Sequence, residues 1–336
     1  MKVAVVGVGY WGPNLVRNLH TIPACDQVVV YDLDEARVKG ILDHYPSTVA
    51  AASFDQIVSD PQVGAVVVAT PVETHARLAT QALEAGKSVL VEKPLAISSR
   101  DARALVELAR TRGLLVMAGH TFLFSPPVLA VKRLIDQGQV GTPLYVQSSR
   151  VNLGIHRSDV DVIWDLAPHD LSILWLWLGE QPVTVSAIGR SHIGAPTDVA
   201  FLDFVYPSGC LANLHLSWLA PTKVRRMTLV GSRRMVVYED TNTEEPLRIF
   251  DSGAEPPDPD DLNAPAGPFA WTYRTGDVLS PRIAGGEPLR AELEAFLDRV
   301  ERGEGPDERE EAAVAVVATI EAAERSLAAG GAPVAP

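Results

Sequence analysis

Two short segments carry side chains that could move protons. Lys93 lies in Glu92-Lys93-Pro94, directly after the apolar run 88–91. Ligands of an open parallel sheet bind at the carboxyl ends of its strands, so a lysine here would face a ligand; the alternative is a plain surface lysine. Asp165 and His169 are four residues apart, a spacing that lets both side chains share one side of a helix start. The alternative for this pair is an N-cap aspartate and a core histidine.

A glycine motif at the start of the chain has the pattern of a dinucleotide site. Gly7, Gly9 and Gly12 form G-x-G-x-x-G between the strand-like segment 2–6 and a helix-like segment. These glycines permit a tight turn, close approach to a pyrophosphate and close helix packing, and the helix N-terminus attracts phosphates. Asp32 ends the next apolar segment, where a carboxylate accepts hydrogen bonds from an adenosine ribose and repels a 2′-phosphate. We therefore expect NAD; the alternative is a glycine turn in an unliganded sheet.

Strand-like and helix-like segments alternate through the first part of the chain. Strands are predicted at 27–31, 47–50, 64–69, 88–91 and 114–118, and helices at 34–44, 73–85 and 98–112. Strands that are apolar throughout are typical of a parallel sheet covered on both faces. This pattern predicts an α/β fold with a Rossmann doubly wound parallel sheet over residues 1–120.

The pattern changes in the rest of the chain, where apolar and polar residues alternate. Leu214, Leu216 and Trp218 alternate with Asn213, His215 and Ser217, which indicates a sheet with one face on a core. We therefore expect a C-terminal α+β domain with a mostly antiparallel open sheet over 121–330 and a flexible tail at 331–336. Its other predicted parts are strands at 225–230 and 234–238, a helix ending at Gly138, a helix with Pro168 in its first turn, a solvated loop at 251–267 and closing helices at 292–302 and 308–327.

Composition and charge narrow the class of protein. The net charge is −13, from 29 basic and 42 acidic residues, and no Lys/Arg-rich run stands out, so we expect no nucleic-acid partner. No apolar stretch is long enough to span a membrane, and the first strand begins at the N-terminus, so we expect no membrane partner and no signal peptide. Cys25 and Cys210 lack the spacing of metal ligands or of a disulfide framework, which predicts no metal and fits a cytoplasmic protein.

Together these motifs resemble the Gfo/Idh/MocA oxidoreductase family over nearly the whole chain. The resemblance rests on the glycine motif, Asp32, Glu92-Lys93-Pro94, Asp165-x-x-x-His169, a fourth-strand motif at Ala69-Thr70-Pro71 with His75, and closing helices from Pro288 to Leu327. It implies that NAD is bound by Gly7, Gly9, Tyr10, Trp11, Gly12, Asp32, Thr70, Pro71, His75, Glu92 and Lys93. It also implies that Lys93 and His169 are the catalytic pair, with Asp165 as a polar partner.

Further residues are similar to the family's nucleotide-sugar branch. Tyr10-Trp11, the segment from Gly119 to Phe122 and the polar segment from Arg150 to Asp159 carry this similarity, while 162–164 and 167–168 lack the glycines of many members. The similarity implies substrate contacts by His120, Arg150, Asn152, Arg157 and Trp164. Arginine suits a phosphate or carboxylate, and Lys223, Arg225 and Arg226 enlarge this basic set. Ion pairs, such as one between Arg157 and Asp159, explain these arginines equally well.

The expected function is that of an NAD-dependent sugar dehydrogenase or ketoreductase, which transfers a hydride between nicotinamide and C3 of a nucleotide-linked sugar. A general base works best with a pKa near the operating pH, which favours His169 as the base and Lys93 as the charge-stabilising group; the reverse assignment stays open. The alternatives are a free polyol or inositol-type dehydrogenase, an NAD-dependent glycosidase and a non-catalytic dinucleotide sensor. The resemblance also implies sheet-to-sheet packing of subunits into a homodimer or homotetramer.

Overall fold

The chain divides into two compact units. The structure, a computed structural model, describes residues 1–154, 156–157, 160–194, 196–255 and 271–336. The first unit comprises Met1–Ser125 and Gly286–Glu321, and the second comprises Pro126–Gly285 and Ala322–Pro336. The closing helix that begins at Pro288 groups with the first unit, whereas the sequence prediction places it in the second domain.

The first unit is built on a six-stranded parallel sheet. Its strands are β1 (Lys2–Val6), β2 (Gln27–Tyr31), β3 (Val49–Ala50), β4 (Val63–Val68), β5 (Ser88–Glu92) and β6 (Val116–Gly119). The spatial order β3-β2-β1-β4-β5-β6 is that of a Rossmann sheet, which confirms the predicted α/β class. Val66 and Val67 point to opposite faces of β4 and are both fully buried, as a sheet covered on both faces requires.

Helices connect these strands, and three of them begin at a side-chain cap, which is Asp34, Ser53 or Ser98. They are α1 (Gly12–Leu19), α2 (Glu35–His44), α3 (Phe54–Ser59), α4 (His75–Glu84) and α5 (Ser99–Arg112), with short 3-10 helices at Val72–Thr74 and Thr121–Phe124. Local residues set both ends of helix α5. The side chain of Ser98 accepts the N–H of Asp101 at the start, and Gly113, with φ +63°, ends the helix. Helix α3 is an addition that the sequence pattern did not predict.

A helix from the end of the chain completes the core of the first unit. Helix α8 (Pro288–Glu301) buries Leu293 and Phe296 in the same cluster as Leu15 and Leu19 of α1. It is followed by α9 (Glu308–Ala328). This packing explains why α8 belongs to the first unit, since its apolar side forms part of that unit's core.

The second unit is built on an eight-stranded, mostly antiparallel sheet. Its strands are β7 (Pro143–Leu153), β8 (Thr184–Arg190), β9 (Val199–Val205), β10 (Leu211–Ser217), β11 (Leu219–Gly231), β12 (Met235–Glu239), β13 (Leu247–Glu255) and β14 (Thr272–Leu279). The order is β14-β13-β12-β11-β7-β10-β9-β8, and β10 with β7 is a parallel pair. Leu214 and Leu216 are buried while Asn213 and His215 are half-buried, which confirms the alternation predicted for this sheet.

Two helices accompany this sheet, and the second begins earlier than predicted. They are α6 (Pro126–Asp136) and α7 (Val162–Leu178). The side chain of Asp161 accepts the N–H groups of Ile163 and Trp164, each at 3.0 Å, and so caps α7. Asp165 therefore lies in the first turn instead of at the N-cap, and Pro168 lies inside the helix instead of in its first turn.

Two segments predicted to be irregular contain paired backbone. Residues 251–255 form the end of β13 and not a loop, while 256–267 lie outside the described residues. In the tail that the sequence predicts to be flexible, Val334 exchanges two main-chain hydrogen bonds with Val185, at 2.8 and 2.9 Å.

Candidate active site

The glycine motif closes the end of β1 against the end of β4. Gly7 has φ +93°, and a Cβ built on it would lie 2.5 Å from the carbonyl oxygen of Ala69. A Cβ on Gly12 would lie 2.4 Å from the carbonyl oxygen of Gly7. Neither position accepts a side chain, so the turn presents main chain alone. At Gly9 the nearest atom to a Cβ would be Nη1 of Arg37 at 3.4 Å, which leaves this backbone open to close approach.

The start of α1 suits an anion. Its N-cap residue, Trp11, makes no side-chain cap hydrogen bond, and its first turn carries no acidic side chain. The free N–H groups of such a helix start and its partial positive charge suit a phosphate. Tyr10, next to this helix start, is 89% exposed. These features fit the pyrophosphate of a dinucleotide.

Asp32 is held beside the glycine turn by main-chain hydrogen bonds. Its carboxylate accepts the N–H of Val8 at 2.7 Å and the N–H of Asp34 at 2.9 Å, and the Arg37 guanidinium lies 3.9 Å away. A carboxylate can accept about four hydrogen bonds, so capacity for ribose hydroxyls remains. Its negative charge disfavours a 2′-phosphate. The residues present therefore fit NAD.

His75 holds two loops of the first unit together. It is 1% exposed, its Nδ1 lies 2.9 Å from the carbonyl oxygen of Pro94, and its Nε2 lies 2.8 Å from that of Thr70. Burial lowers the pKa of His75. Because both ring nitrogens face main-chain carbonyls, they are not available to a cofactor. His75 instead connects the turn after β4 to the segment after β5, on which Lys93 lies.

Lys93 follows β5 on a segment held by Glu92. The N–H of Lys93 donates to Oε2 of Glu92 at 3.3 Å, the indole N–H of Trp11 donates to the same carboxyl, and the Lys93–Pro94 peptide bond is cis. Burial raises the pKa of Glu92 to about 7, against the opposing effect of the Lys93 charge. Trp11 thus connects the glycine turn to the lysine segment within the first unit.

His120, predicted to contact substrate, is a buried neighbour of Lys93. It is 4% exposed, and neither ring nitrogen has a hydrogen-bond partner among the described residues. Burial and the positive charge of Lys93 lower the pKa of His120 to about 4. The ring is therefore neutral at neutral pH and offers no charge to a phosphate.

One acidic residue of this cluster was not predicted as a site residue from the sequence. Glu292 on α8 is fully buried, and its Oε2 accepts the hydroxyl of Thr121 at 2.9 Å. Burial raises the pKa of Glu292 well above its usual value, and the charge of Glu92 raises it further. The two acids are far apart in the sequence, so no local pattern joins them. The one sequence signal was the position of this glutamate on the otherwise apolar side of a predicted helix.

In the second unit, Asp165 is the acceptor for two side-chain donors. The indole N–H of Trp218 donates to Oδ2 of Asp165 at 3.2 Å, and Nη1 of Arg157 lies 3.4 Å from Oδ1. The ring of His156 packs edge-on against Trp218, with 5.5 Å between centroids. Arg157 thus pairs with Asp165, while its alternative partner Asp159 lies outside the described residues. Trp218 was predicted only as a core residue, and its indole N–H adds a role in holding Asp165.

His169 lies one helical turn after Asp165, next to a buried ion pair. It is half-buried, and its carbonyl oxygen accepts the hydroxyl of Ser172 at 2.8 Å. The following residue, Asp170, is fully buried and accepts Nε and Nη2 of Arg150 at 3.0 and 2.6 Å. Arg150 is itself 4% exposed, so the prediction that it contacts substrate gives way to a structural role. The pair joins α7 to β7 and so sets where α7 places His169.

Most of the other residues predicted to bind substrate already have partners within the second unit. Arg225 pairs with Asp240 at 3.0 Å, and Arg226 pairs with Glu239 at 3.1 Å. These are the ion pairs that the sequence left open as an alternative. The remaining positions are Lys223, which is exposed, Asn152, which is half-buried in β7, and Trp164, whose indole N–H donates to Glu324 at 2.7 Å.

The described parts of the chain contain neither a membrane span nor a metal cluster. None of their helices is long and apolar enough to cross a bilayer, and no three metal-ligating side chains come together in them. Cys25 and Cys210 are free thiols, and burial raises the pKa of each to about 11. The candidate residues thus fall into two groups that are described separately, one around Lys93 in the first unit and one around Asp165 and His169 in the second.

Two family profiles match the chain and define its class. Residues 1–120 match the oxidoreductase family with the NAD-binding Rossmann fold, and residues 128–237 match the GFO/IDH/MocA C-terminal domain. Together with the glycine turn and Asp32, these matches define an NAD-dependent oxidoreductase. The chain belongs to the Gfo/Idh/MocA oxidoreductase family.

Relatives of known activity fall into more than one substrate class. The chain is 30% identical to the UDP-N-acetylglucosamine 3-dehydrogenase of Acidithiobacillus ferrooxidans, over 76% of this chain and 78% of that protein. It is 33% identical to the inositol 2-dehydrogenase 2 of Saccharopolyspora erythraea, over 64% of this chain and 66% of that protein. Across three curated relatives, these two among them, the chain spans 62% to 78% of the relative's length.

A solved structure resembles the whole chain. The crystal structure of GenD2 from gentamicin A biosynthesis, in complex with NAD, has a TM-score of 0.81 and 25% sequence identity. The similarity covers 100% of this chain and 96% of that one. The fold is therefore shared over both units, and the cofactor of that relative is the one that Asp32 favours here.

Proposed function

We propose that this protein is a sugar dehydrogenase that transfers a hydride between NAD and C3 of a nucleotide-linked sugar. The observation that carries the proposal is the relative named UDP-N-acetylglucosamine 3-dehydrogenase, which aligns with 76% of the chain. Lys93, Asp165 and His169 are all present, so the chain retains the side chains that oxidation of an alcohol needs. A sensor without catalytic activity would have no use for them.

The proposed reaction separates a proton from a hydride. NAD, when bound, supplies the acceptor for the hydride that leaves the sugar carbon. His169 takes the proton of the hydroxyl group, because an imidazole titrates near neutral pH. Lys93 donates a hydrogen bond to the same oxygen and stabilises its developing negative charge. Asp165 keeps a negative charge one turn before His169 and favours the imidazolium that forms.

A second candidate is oxidation of a free cyclic polyol. The observation that favours it is the pairing of Arg150, Arg225 and Arg226 with carboxylates of the same unit. A nucleotide diphosphate calls for unpaired arginine or lysine, whereas a neutral polyol does not. Relatives that are inositol dehydrogenases show that the family includes this class.

A substrate panel separates these candidates. NAD reduction is followed by absorbance with UDP- and dTDP-linked sugars, myo-inositol and free hexoses, and binding of each is measured by calorimetry. The proposal expects saturable NADH formation with a nucleotide-linked sugar. Turnover of free polyols without binding of any nucleotide-linked sugar would support the second candidate. Bond cleavage without NADH accumulation would indicate a glycosidase, and cofactor binding without turnover of any compound would indicate a sensor.

We also propose that the protein forms a homodimer or homotetramer through the open sheet of its second unit. The exposed side of that sheet carries large apolar side chains, with Ile188 65%, Phe201 45% and Leu211 53% exposed. Contiguous apolar surface of this kind is typical of protein interfaces. Light scattering at micromolar concentration should give a multiple of 36.1 kDa, and a mass of 36.1 kDa would contradict the proposal. The cytoplasmic location expected from the sequence stays a prediction.

A further inference from the structure

Two acidic side chains of the first unit, Glu92 and Glu292, form a pair in which each has a buried carboxyl oxygen. Glu292 is 0% exposed, and while its Oε2 accepts the Thr121 hydroxyl at 2.9 Å, its Oε1 has no partner among the residues described. Oε1 of Glu92 is likewise buried without a partner there. An ionised carboxylate with an oxygen buried without a hydrogen bond is costly unless a charged donor offsets the cost, as Arg150 does for Asp170, so a proton on one of these two acids relieves it.

The backbone makes room for the Glu92 carboxyl at this point. Gly119 is the register partner of Glu92 between β5 and β6. A Cβ on Gly119 would lie 3.1 Å from Cα and 3.4 Å from Cδ of Glu92. The absence of a side chain at Gly119 thus leaves space for the carboxyl on the same side of the sheet. The next residue, His120, adds two more unpartnered polar atoms to the same buried cluster.

The charges around Glu292 do not balance two carboxylates. Lys93 supplies a positive charge from the end of β5, while His120 at the end of β6 is neutral. On α1, Arg17 pairs with Glu287, and on α8 itself Arg290 pairs with Glu294. Both arginines are thus already neutralised by other acids.

We propose that Glu292 is a positioning residue that stays protonated when Glu92 ionises and thereby leaves the single negative charge of the pair on Glu92, beside Lys93. The assignment of the charge follows from the contacts of each acid. Glu92 accepts the N–H of Lys93 and the indole of Trp11, both of which favour its ionised form. Glu292 has one hydroxyl donor and is more deeply buried.

The direction of the pKa values agrees with this assignment. Burial raises the pKa of Glu292 well above its usual value, and the charge of Glu92 adds to the rise. Burial raises the pKa of Glu92 only to about 7, because Lys93 and two hydrogen bonds oppose it. The proton therefore belongs first to Glu292. The role toward Lys93 rests on the proposed function, whereas the protonation of Glu292 does not.

The pH dependence of stability tests the protonation without any substrate. Below the ordinary glutamate pKa of about 4.3, the folded and unfolded states both hold the proton, and the contribution to stability is full. As the pH rises toward the folded-state pKa, only the folded state keeps the proton. The unfolding equilibrium constant should then rise up to about tenfold per pH unit through this one group. Glu292→Gln is neutral at all pH values and should lack this component.

A matched control lies on the same helix. The side chain of Glu294 is 44% exposed and pairs with Arg290, so Glu294→Gln should keep the wild-type pH dependence of unfolding. Groups such as Glu92 and Glu310 titrate in all three proteins, so their contributions to the pH dependence of unfolding cancel when the proteins are compared. Equal pH dependence in the wild type and Glu292→Gln would overturn the proposal.

Infrared spectroscopy gives a direct view of the proton. Above pH 7, where Glu92 is ionised, the wild type should show a protonated carboxyl C=O band that Glu292→Gln lacks and Glu294→Gln retains. A difference spectrum with carboxylate bands alone would overturn the proposal.

If Glu292→Gln does not fold, Thr121→Val serves instead. Loss of the Thr121 hydroxyl removes a hydrogen bond that favours the ionised form of Glu292. The protonated carboxyl band should therefore persist to higher pH than in the wild type. A band that disappears at lower pH would contradict the proposal.

The role toward Lys93 has a separate readout. In Glu92→Gln the negative charge beside Lys93 is lost, and the limb of the pH–turnover profile that depends on Lys93 should move to lower pH. In Glu292→Gln that limb should keep its midpoint, since a neutral side chain replaces a neutral one. A shift of the same size in both variants would show that Glu292 is ionised. If no substrate is found, the proposed function fails, but the stability and infrared results still decide the state of Glu292.

Discussion

The carboxyl groups beside Lys93 and those beside His169 are supported in opposite ways. In the second unit, Asp165 receives hydrogen bonds from Trp218 and Arg157, and Asp170 receives two from Arg150. Asp170, Glu92 and Glu292 each have one buried carboxyl oxygen without a partner among the residues described. Asp170 nevertheless accepts two bonds from a guanidinium, whereas the one described donor to Glu292 is the Thr121 hydroxyl. Hydrogen-bond donors, above all charged ones, stabilise the ionised form of a carboxyl group, whereas their absence favours the protonated form. The second unit therefore holds fixed negative charges, and the first unit holds a proton.

This difference suits the two proposed roles. A fixed negative charge near His169 favours imidazolium formation when the histidine accepts a proton. A negative charge on Glu92, beside Lys93, favours the ammonium form of the lysine. The cluster with charged donors thus serves a base, and the cluster with a protonated Glu292 serves a group that must keep its positive charge.

The largest expected effect is the loss of either proton-handling group. Lys93→Met and His169→Gln should each lower turnover by about a hundredfold to ten-thousandfold, because positioned acid–base groups typically contribute that much. Both variants should still bind NAD, since the glycine turn and Asp32 are untouched. Steady-state kinetics and calorimetry measure the two quantities. Near-normal turnover in His169→Gln would show that His169 is a structural residue.

The next effect tests the buried pair of the second unit. Arg150→Met leaves Asp170 charged and uncompensated, and the free energy of unfolding should fall by about 3–5 kcal/mol. Arg226→Met is the control, since its pair with Glu239 is 48% exposed on the arginine side and worth about 0–1 kcal/mol. Urea denaturation measures both. A small loss in Arg150→Met, together with weaker substrate binding, would restore Arg150 as a substrate contact.

The smallest effect concerns the hydrogen bond that holds Asp165. Trp218→Phe removes a donor to a charged acceptor and should cost about 1.5–3 kcal/mol in free energy of unfolding. Trp177 is as deeply buried, at 2%, but its indole donates to the neutral carbonyl of Val128, so Trp177→Phe should cost about 0.5–1.5 kcal/mol from its hydrogen bond. Equal losses in the two variants would mean that the Asp165 contact adds nothing beyond a neutral bond.

What the sequence predicted depended on how local the signal was. The glycine turn and the parallel strands depend on residues close together in the chain, and both were confirmed. Asp32 lies beside the glycine turn, and its contact with the cofactor stays a prediction. The start of α7 was misplaced because Pro168 usually marks a first turn, and Asp165 looked like its N-cap. Asp161 is an equally good cap, and it accepts two N–H groups.

The contacts that surround the candidate residues could not be predicted in the same way. Arg150 meets Asp170 only when β7 packs on α7, and Glu292 meets Thr121 only when α8 joins the first unit. A single sequence shows neither packing, so Arg150 was assigned to substrate and Glu292 to a plain closing helix. The residue types indicated that these positions could act in binding or catalysis. Their contact partners in the folded structure indicated which role each residue has.

The most direct test of the central claim follows the hydride itself. A nucleotide-linked sugar that carries deuterium at C3 is incubated with the protein and NAD, and the recovered cofactor is analysed by mass spectrometry. The account predicts one deuterium in each NADH formed, with far slower transfer in Lys93→Met and His169→Gln. NADH without deuterium, or no reduction of NAD by any nucleotide-linked sugar that binds, would contradict it.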